Sequence, residues 1–113
     1  MRFLFFPIFL LLFNAGYAQS TSKHITEFSQ KDINNGIVID VRTPEEFEQG
    51  HLDNAININW FDTNFARQCN TLDKDKIIYV YCKKGGRSAE AQKKLISLGF
   101  KVIDLEGGYD AIK

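Results

Sequence analysis

The chain has 113 residues, enough for one domain, with 14 basic and 14 acidic side chains. That balance excludes a global basic field of the kind that binds nucleic acid or a membrane surface. Two cysteines thirteen positions apart, Cys69 and Cys82, with only His24 and His51 as imidazoles, give no metal-ligand pattern, so no metal is expected.

In chain order, the first segment has the form of a leader. Arg2 supplies a positive start, and Phe3 to Phe13 form an apolar run too short for a membrane span of about 20 residues. Asn14 to Ala18 are more polar, with Gly16 and Ala18 at the positions a signal peptidase reads. The expectation is a secretory signal peptide over 1–18 and a domain over 19–113, exported, and periplasmic if the host is a Gram-negative bacterium. Removing Arg2 leaves one net negative charge and takes away half of the ten phenylalanines. No membrane attachment is expected after cleavage.

Gln19 to Lys23 read as a loose, polar N-terminus. "GIVIDV" (36–41) is a β-branched run and predicts a buried strand. "TPEEFEQG" (43–50) predicts a short helix, with Thr43 as N-cap, Pro44 in the first turn, Glu46 closing a capping box and Gly50 as the stop. "AININ" (55–59) predicts a short strand. "WFDTNFARQC" (60–69) predicts a helix with Phe61 and Phe65 on one face, and "LDKDK" (72–76) a turn. "IIYVYC" (77–82) predicts a central strand, apolar on both faces. "SAEAQKKLISLG" (88–99) predicts a helix ended by Gly99, with Ala91, Leu95 and Leu98 inward, and "KVIDL" (101–105) a last strand. This alternation predicts an α/β domain: a parallel sheet with helices on both faces. Ligands in such sheets sit at the carboxyl ends of the strands, where Cys82 stands.

Cys82 opens "CKKGGRS" (82–88). The next helix points its positive dipole end and free N–H groups at this loop. Lys83, Lys84 and Arg87 add charge. Gly85 and Gly86 allow positive φ, so that successive N–H groups can turn inward as an anion nest. All three features favour thiolate over thiol. A buried structural cysteine would need none of them.

These segments carry a family resemblance. "IDVRTPEEFEQGHLDNAIN" (39–57), "VYCKKGGRSAEA" (80–91) and "LEGGYDAIK" (105–113) resemble, in order, the N-terminal signature, the active-site loop and the Gly-Gly segment of a single-domain rhodanese. A tryptophan that often follows the Gly-Gly segment is absent. The resemblance implies a rhodanese-like fold and a thiosulfate-type sulfurtransferase. Its catalytic Cys82 would carry a sulfane sulfur as a persulfide, and Lys83, Lys84, Gly85, Gly86, Arg87 and Ser88 would hold an anionic donor. The implied partners are a small donor such as thiosulfate and a thiol or cyanide acceptor, with no cofactor. Four residues separate Cys82 from Arg87, whereas phosphatases of this fold use five. A phosphatase or oxyanion reductase is therefore a weaker alternative, as is a non-enzymatic interaction module, given that the cysteine is present.

Asp40 and Arg42, after the first strand, are candidates for binding the donor or for a structural pair, with the structural pair favoured. His51 is read as a structural hydrogen-bonding residue. Cys69 is read as a packed free thiol, with pairing to Cys82 as the alternative.

Overall fold

The computed structural model describes residues 21–113. The expected signal peptide, 1–18, lies outside the described residues. Five strands form one parallel sheet: β1 (Ser22–His24), β2 (Gly36–Asp40), β3 (Ile56–Asn57), β4 (Ile77–Tyr81) and β5 (Lys101–Glu106), in the order β1-β5-β4-β2-β3. Four α-helices lie between them: α1 (Gln30–Asn35), α2 (Pro44–Glu48), α3 (Phe65–Cys69) and α4 (Gly86–Ser97). Single-turn 3-10 helices occupy Ile25–Glu27 and Tyr109–Ala111.

The apolar runs of β2 and β4 divide by the two-residue strand period into two cores. On one face Ile39, Val41, Ile78, Val80 and Cys82 meet Phe65 and Cys69 of α3 and Ala91 and Leu95 of α4. On the other face Val38, Tyr79, Tyr81 and Leu105 meet Ile25, with Phe28 and Ile33 packed alongside. Both faces of the central strands are thus buried, as parallel sheets require.

Capping chemistry sets the helix ends. Thr43 Oγ1 accepts from the Glu46 N–H, and Glu46 Oε1 accepts from the Thr43 N–H at 3.0 Å, so α2 begins where the capping box predicts. Gly99, at φ +100°, ends α4: its N–H donates to Ile96 O and the Phe100 N–H to Leu95 O. That pair of bonds is a Schellman stop.

Three readings change. Residues 22–24 are not loose: they add β1 to the edge of the sheet beside β5. The segment holds no apolar alternation because an edge strand is attached by backbone hydrogen bonds. The helix expected over 60–69 spans only Phe65–Cys69. The Trp60 N–H is still bonded to Val41 O, and Asn59 Oδ1 accepts from the Phe61 N–H, so 59–65 runs as successive turns. Phe61 is therefore 65% exposed while Phe65 is buried. Helix α4 begins at Gly86, two residues before the expected start, which draws Gly86 and Arg87 into its first turn.

Candidate active site

The carboxyl ends of β2, β4 and β5 converge on one edge, as they must in a parallel sheet. Cys82 is the first residue past β4. Its sulfur accepts a hydrogen bond from the Gly85 N–H at 3.0 Å, and its thiol donates to Ser88 Oγ at 3.6 Å. The Ser88 hydroxyl in turn donates to Gly85 O at 3.2 Å. Cys82 and Ser88 are both buried. Gly85 makes the tight curl possible at φ +125°, a conformation open to glycine at little cost. Gly86 does not adopt positive φ; it is the first residue of α4 and contributes a helix-terminal N–H instead. A Cβ on either glycine would project into open space, so the outer side of the loop has room for a ligand.

The C-terminal segment braces this loop from behind. The Tyr109 N–H donates to Cys82 O at 2.8 Å and the Asp110 N–H to Lys83 O at 3.1 Å. Gly108, at φ +68°, lies against the Lys83–Lys84 peptide so closely that any Cβ would collide with the Lys83 carbonyl. This contact explains the second glycine of the Gly-Gly pair. Tyr109 also closes over Gly50, where a Cβ would meet the tyrosine hydroxyl.

The three cations behind the thiol differ in what they hold. Lys83 Nζ pairs with Asp110 at 3.0 Å, and Asp110 also takes Lys113 at 3.0 Å. Arg87 forms a two-pronged pair with Glu46 at 2.7 and 3.0 Å. Lys84 is exposed and makes no ion pair among the described residues. The Arg87 guanidinium also stands 5.7 Å from the ring centre of exposed Phe61.

Glu46 thus has two tasks: it caps α2 and anchors the first turn of α4. The Arg87 hydrogen bonds hold its pKa down to about 2, with the Thr43 bonds assisting against burial. Its folded value lies below the ordinary 4.5, so the native state binds fewer protons. The stabilisation is therefore complete above about pH 4.5 and is lost as pH falls toward 2. Glu46→Gln is expected to cost about 1–2 kcal/mol at pH 7, after allowing for partial solvent screening. Chemical denaturation of both proteins across pH checks this: the gap should close on acidification.

Arg42 is nearly fully buried. Its guanidinium clasps Asp40 through Nε and Nη2, the latter at 2.7 Å, and Nη2 also donates to Gly50 O at 2.7 Å. Asp40 is wholly buried and accepts from the Arg42 N–H as well. The guanidinium lies 4.6 Å from the Tyr109 ring centre. The Asp40–Arg42 pair therefore joins the end of β2 to the end of α2 and to the brace. Asn57 adds to it by donating to the carbonyls of Asp40 and Arg42 at 3.0 and 2.9 Å. His51 stacks on Phe47 at 3.6 Å and bonds Phe47 O through Nδ1, a structural placement.

A cleft of about 230 Å³ runs beside the loop, walled by Arg42, Glu46, Gly50, Lys83, Tyr109 and Asp110. Cys82 is not in its wall, and its charged walls are paired with one another or with Asp40, Arg87 or Lys113. Cys69 ends α3, fully buried and free; burial alone pushes its thiol up to about 11. Cys82 is free as well, so the two are not joined.

Glu46, Gly108, Tyr109 and Asp110 are site residues that the sequence reading did not assign. Glu46 lies four residues before Gly50 inside the first of the three resembling segments (39–57), which was a usable signal. The acidic partner of Lys83 carried none.

This site lies in a fold with known relatives. A profile of the rhodanese-like domain matches residues 23–113, and the chain belongs to that family. It is 40% identical over 85 residues to thiosulfate sulfurtransferase 16 of Arabidopsis thaliana, covering 65% of this chain and 70% of that protein. It is 43% identical over 83 residues to the adenylyltransferase and sulfurtransferase UBA4 of Candida albicans, covering 66% of this chain but only 18% of that much longer protein. The crystal structure of a rhodanese-related protein from Thermoplasma volcanium superposes with a TM-score of 0.72 at 33% identity, covering 80% of this chain and 88% of that one. Sulfurtransferases are thus among its relatives.

Proposed function

We propose that this protein is a sulfurtransferase that moves a sulfane sulfur from thiosulfate or a similar anion to a thiophilic acceptor through a persulfide on Cys82. The observation that carries this reading is the Cys82 sulfur, received by the Gly85 N–H at the mouth of α4 and next to the Ser88 hydroxyl. Negative charge on that sulfur meets a hydrogen-bond donor and the positive end of a helix dipole. The thiosulfate sulfurtransferase among the relatives supports the donor class.

In the first half-reaction the Cys82 thiolate attacks the outer sulfur of the donor. The S–S bond of thiosulfate breaks, and its electron pair leaves on sulfite. In the second, the acceptor attacks the outer sulfur of the persulfide, and the S–S electron pair returns to Cys82 Sγ. Cys82 is only 1% exposed, so the donor must come over Gly85 and Gly86, where the space is open. The helix-terminal N–H groups there can receive the sulfonate oxygens. Two-substrate kinetics with thiosulfate and cyanide test the scheme: double displacement gives parallel double-reciprocal lines. Intersecting lines, or no thiocyanate, would overturn it.

Lys84 is the cation left to steer the donor. Lys84→Ala is expected to raise KM for thiosulfate severalfold, leave kcat unchanged and flatten the dependence of kcat/KM on salt, since exposed charge acts over about 8 Å at physiological ionic strength. Initial rates at low and high salt check it.

Export is part of the same proposal and is supported by the leader pattern of residues 1–18. A mature N-terminus at Gln19 or a neighbour, found by sequencing protein from the host envelope, is the expected result; Met1 retained on cytoplasmic protein would reject it.

A further inference from the structure

Asp110 is a charged residue beside the Cys82 loop that the transfer scheme does not use. It stands in the single-turn 3-10 helix Tyr109–Ala111, where its N–H donates to Lys83 O at 3.1 Å. Its carboxylate turns to the side chain of the same lysine: Lys83 Nζ donates to Oδ1 at 3.1 Å and to Oδ2 at 3.0 Å. Asp110 thus grips Lys83 at both its backbone and its ammonium. A pair this exposed is ordinarily weak, because two mobile side chains must be ordered to make it. Here the backbone bond already fixes the carboxylate beside the lysine, so less ordering is left to do.

The grip decides where the lysine head stands. Lys83 directly follows Cys82, yet it lines the cleft of about 230 Å³ together with Asp110 and Lys113, and Cys82 is not in that wall. A Cβ built on Gly85 or Gly86 would meet nothing within 4 Å, so the ammonium does not stand over these glycines, where a donor reaches the sulfur. Arg87 is likewise taken up, by Glu46 at 2.7 and 3.0 Å. Of the three loop cations, Lys84 alone makes no ion pair among the described residues.

Sulfane-sulfur anions differ in charge. Thiosulfate is a dianion, and the sulfite that leaves it keeps both charges. A thiosulfonate is a monoanion. Attack by the Cys82 thiolate on its outer sulfur breaks the S–S bond, and the electron pair leaves on a sulfinate with a single charge. The dianion gains from a second cation at its seat; the monoanion gains less. With Lys83 held by Asp110, the seat offers N–H groups and one free ammonium.

We propose that Asp110 is a specificity-determining residue for the donor: by holding the Lys83 ammonium off the seat, it shifts the site's preference from dianionic toward singly charged sulfur donors. The proposal rests on Cys82 being the sulfur carrier.

The test compares thiosulfate and methanethiosulfonate as donors, with cyanide as acceptor, at low salt. In double displacement, kcat/KM for the donor reports the first half-reaction alone. Asp110→Asn keeps the size of the side chain and the backbone bond but releases the ammonium. It is expected to raise kcat/KM for thiosulfate about three- to fivefold through a lower KM, the scale of one exposed ion pair, and to leave methanethiosulfonate within about twofold. Adding Lys83→Met to Asp110→Asn should remove most of that gain relative to Lys83→Met alone, because the gain is the freed lysine's contact and not the loss of a negative charge as such. With Lys113→Ala in its place the gain should remain. An unchanged donor ratio in Asp110→Asn, the same gain with or without Lys83, or a gain that follows Lys113 would overturn the proposal. A lower kcat with both donors at an unchanged ratio overturns it too, since it shows Asp110 as a brace only. If wild type takes no sulfur on Cys82 by mass from either donor, the transfer scheme itself has failed; if it takes sulfur and the donor ratio ignores Asp110, only the role of Asp110 has.

Discussion

Cys82→Ser is expected to lower thiosulfate:cyanide transfer by about 10³-fold or more while the protein stays folded. The loss follows from chemistry: a hydroxyl has no accessible anion at neutral pH and cannot hold a transferable sulfane sulfur. The retained fold follows from the surroundings. Serine is slightly smaller than cysteine, and the Gly85 N–H and Ser88 hydroxyl that flank the sulfur remain to bond an oxygen. Its stability should drop by only about 1 kcal/mol, a small cavity in a buried site. Thiocyanate formation and thermal unfolding, measured on the same preparation, separate the two effects. Transfer retained in this variant would remove Cys82 from the chemistry.

Gly108→Ala is expected to be the most damaging single change outside the loop. The residue stands at φ +68°, and its added methyl group would strike the Lys83 carbonyl that Asp110 holds by its N–H. The clash is with backbone, so relief requires that the 107–113 segment lift or that the Cys82 loop shift. Either movement breaks the Tyr109–Cys82 hydrogen bond. A loss of about 2–4 kcal/mol in stability is expected, with a fall in kcat because the loop that receives the sulfur is no longer braced. Denaturant melts and kcat check it. Gly86→Ala makes the control. It lies in the first turn of α4 facing open space, and should leave stability unchanged or slightly improved.

Much of the fold was legible because its signals are local. The β-branched runs of β2 and β4, the Thr43–Glu46 box and the Gly99 stop each act within a few residues, and each set an element boundary to within two positions. β1 was not legible: Ser22–His24 is polar and short, and only its parallel register with β5 makes it a strand. Helix α1 has Ile33 as its sole aliphatic residue, although Asp32 accepts from the Ser29 N–H and so closes a box that could have been read. The truncation of α3 came from Asn59 and Val41, which tie down Trp60 and Phe61.

The Cys82 loop was legible as a loop, since Cys, Gly and cations there are contiguous. What its cations do was not. Arg87 meets a carboxylate 41 positions away and Lys83 one 27 positions away, so two of the three positive charges brace the site across the sheet's edge. No periodicity encodes such pairs. The burial of Asp104 was hidden for a related reason: within "KVIDL" it reads as a polar residue of the strand, and its burial depends on α4 being folded over it.

The most direct test of the central claim is the mass of the purified, reduced protein after incubation with thiosulfate. A gain of about 32 Da, one sulfur atom, should map to the peptide bearing Cys82 and disappear on addition of cyanide with release of thiocyanate. Cys82 left at its original mass while thiocyanate forms catalytically, or the added sulfur found on Cys69, would contradict it.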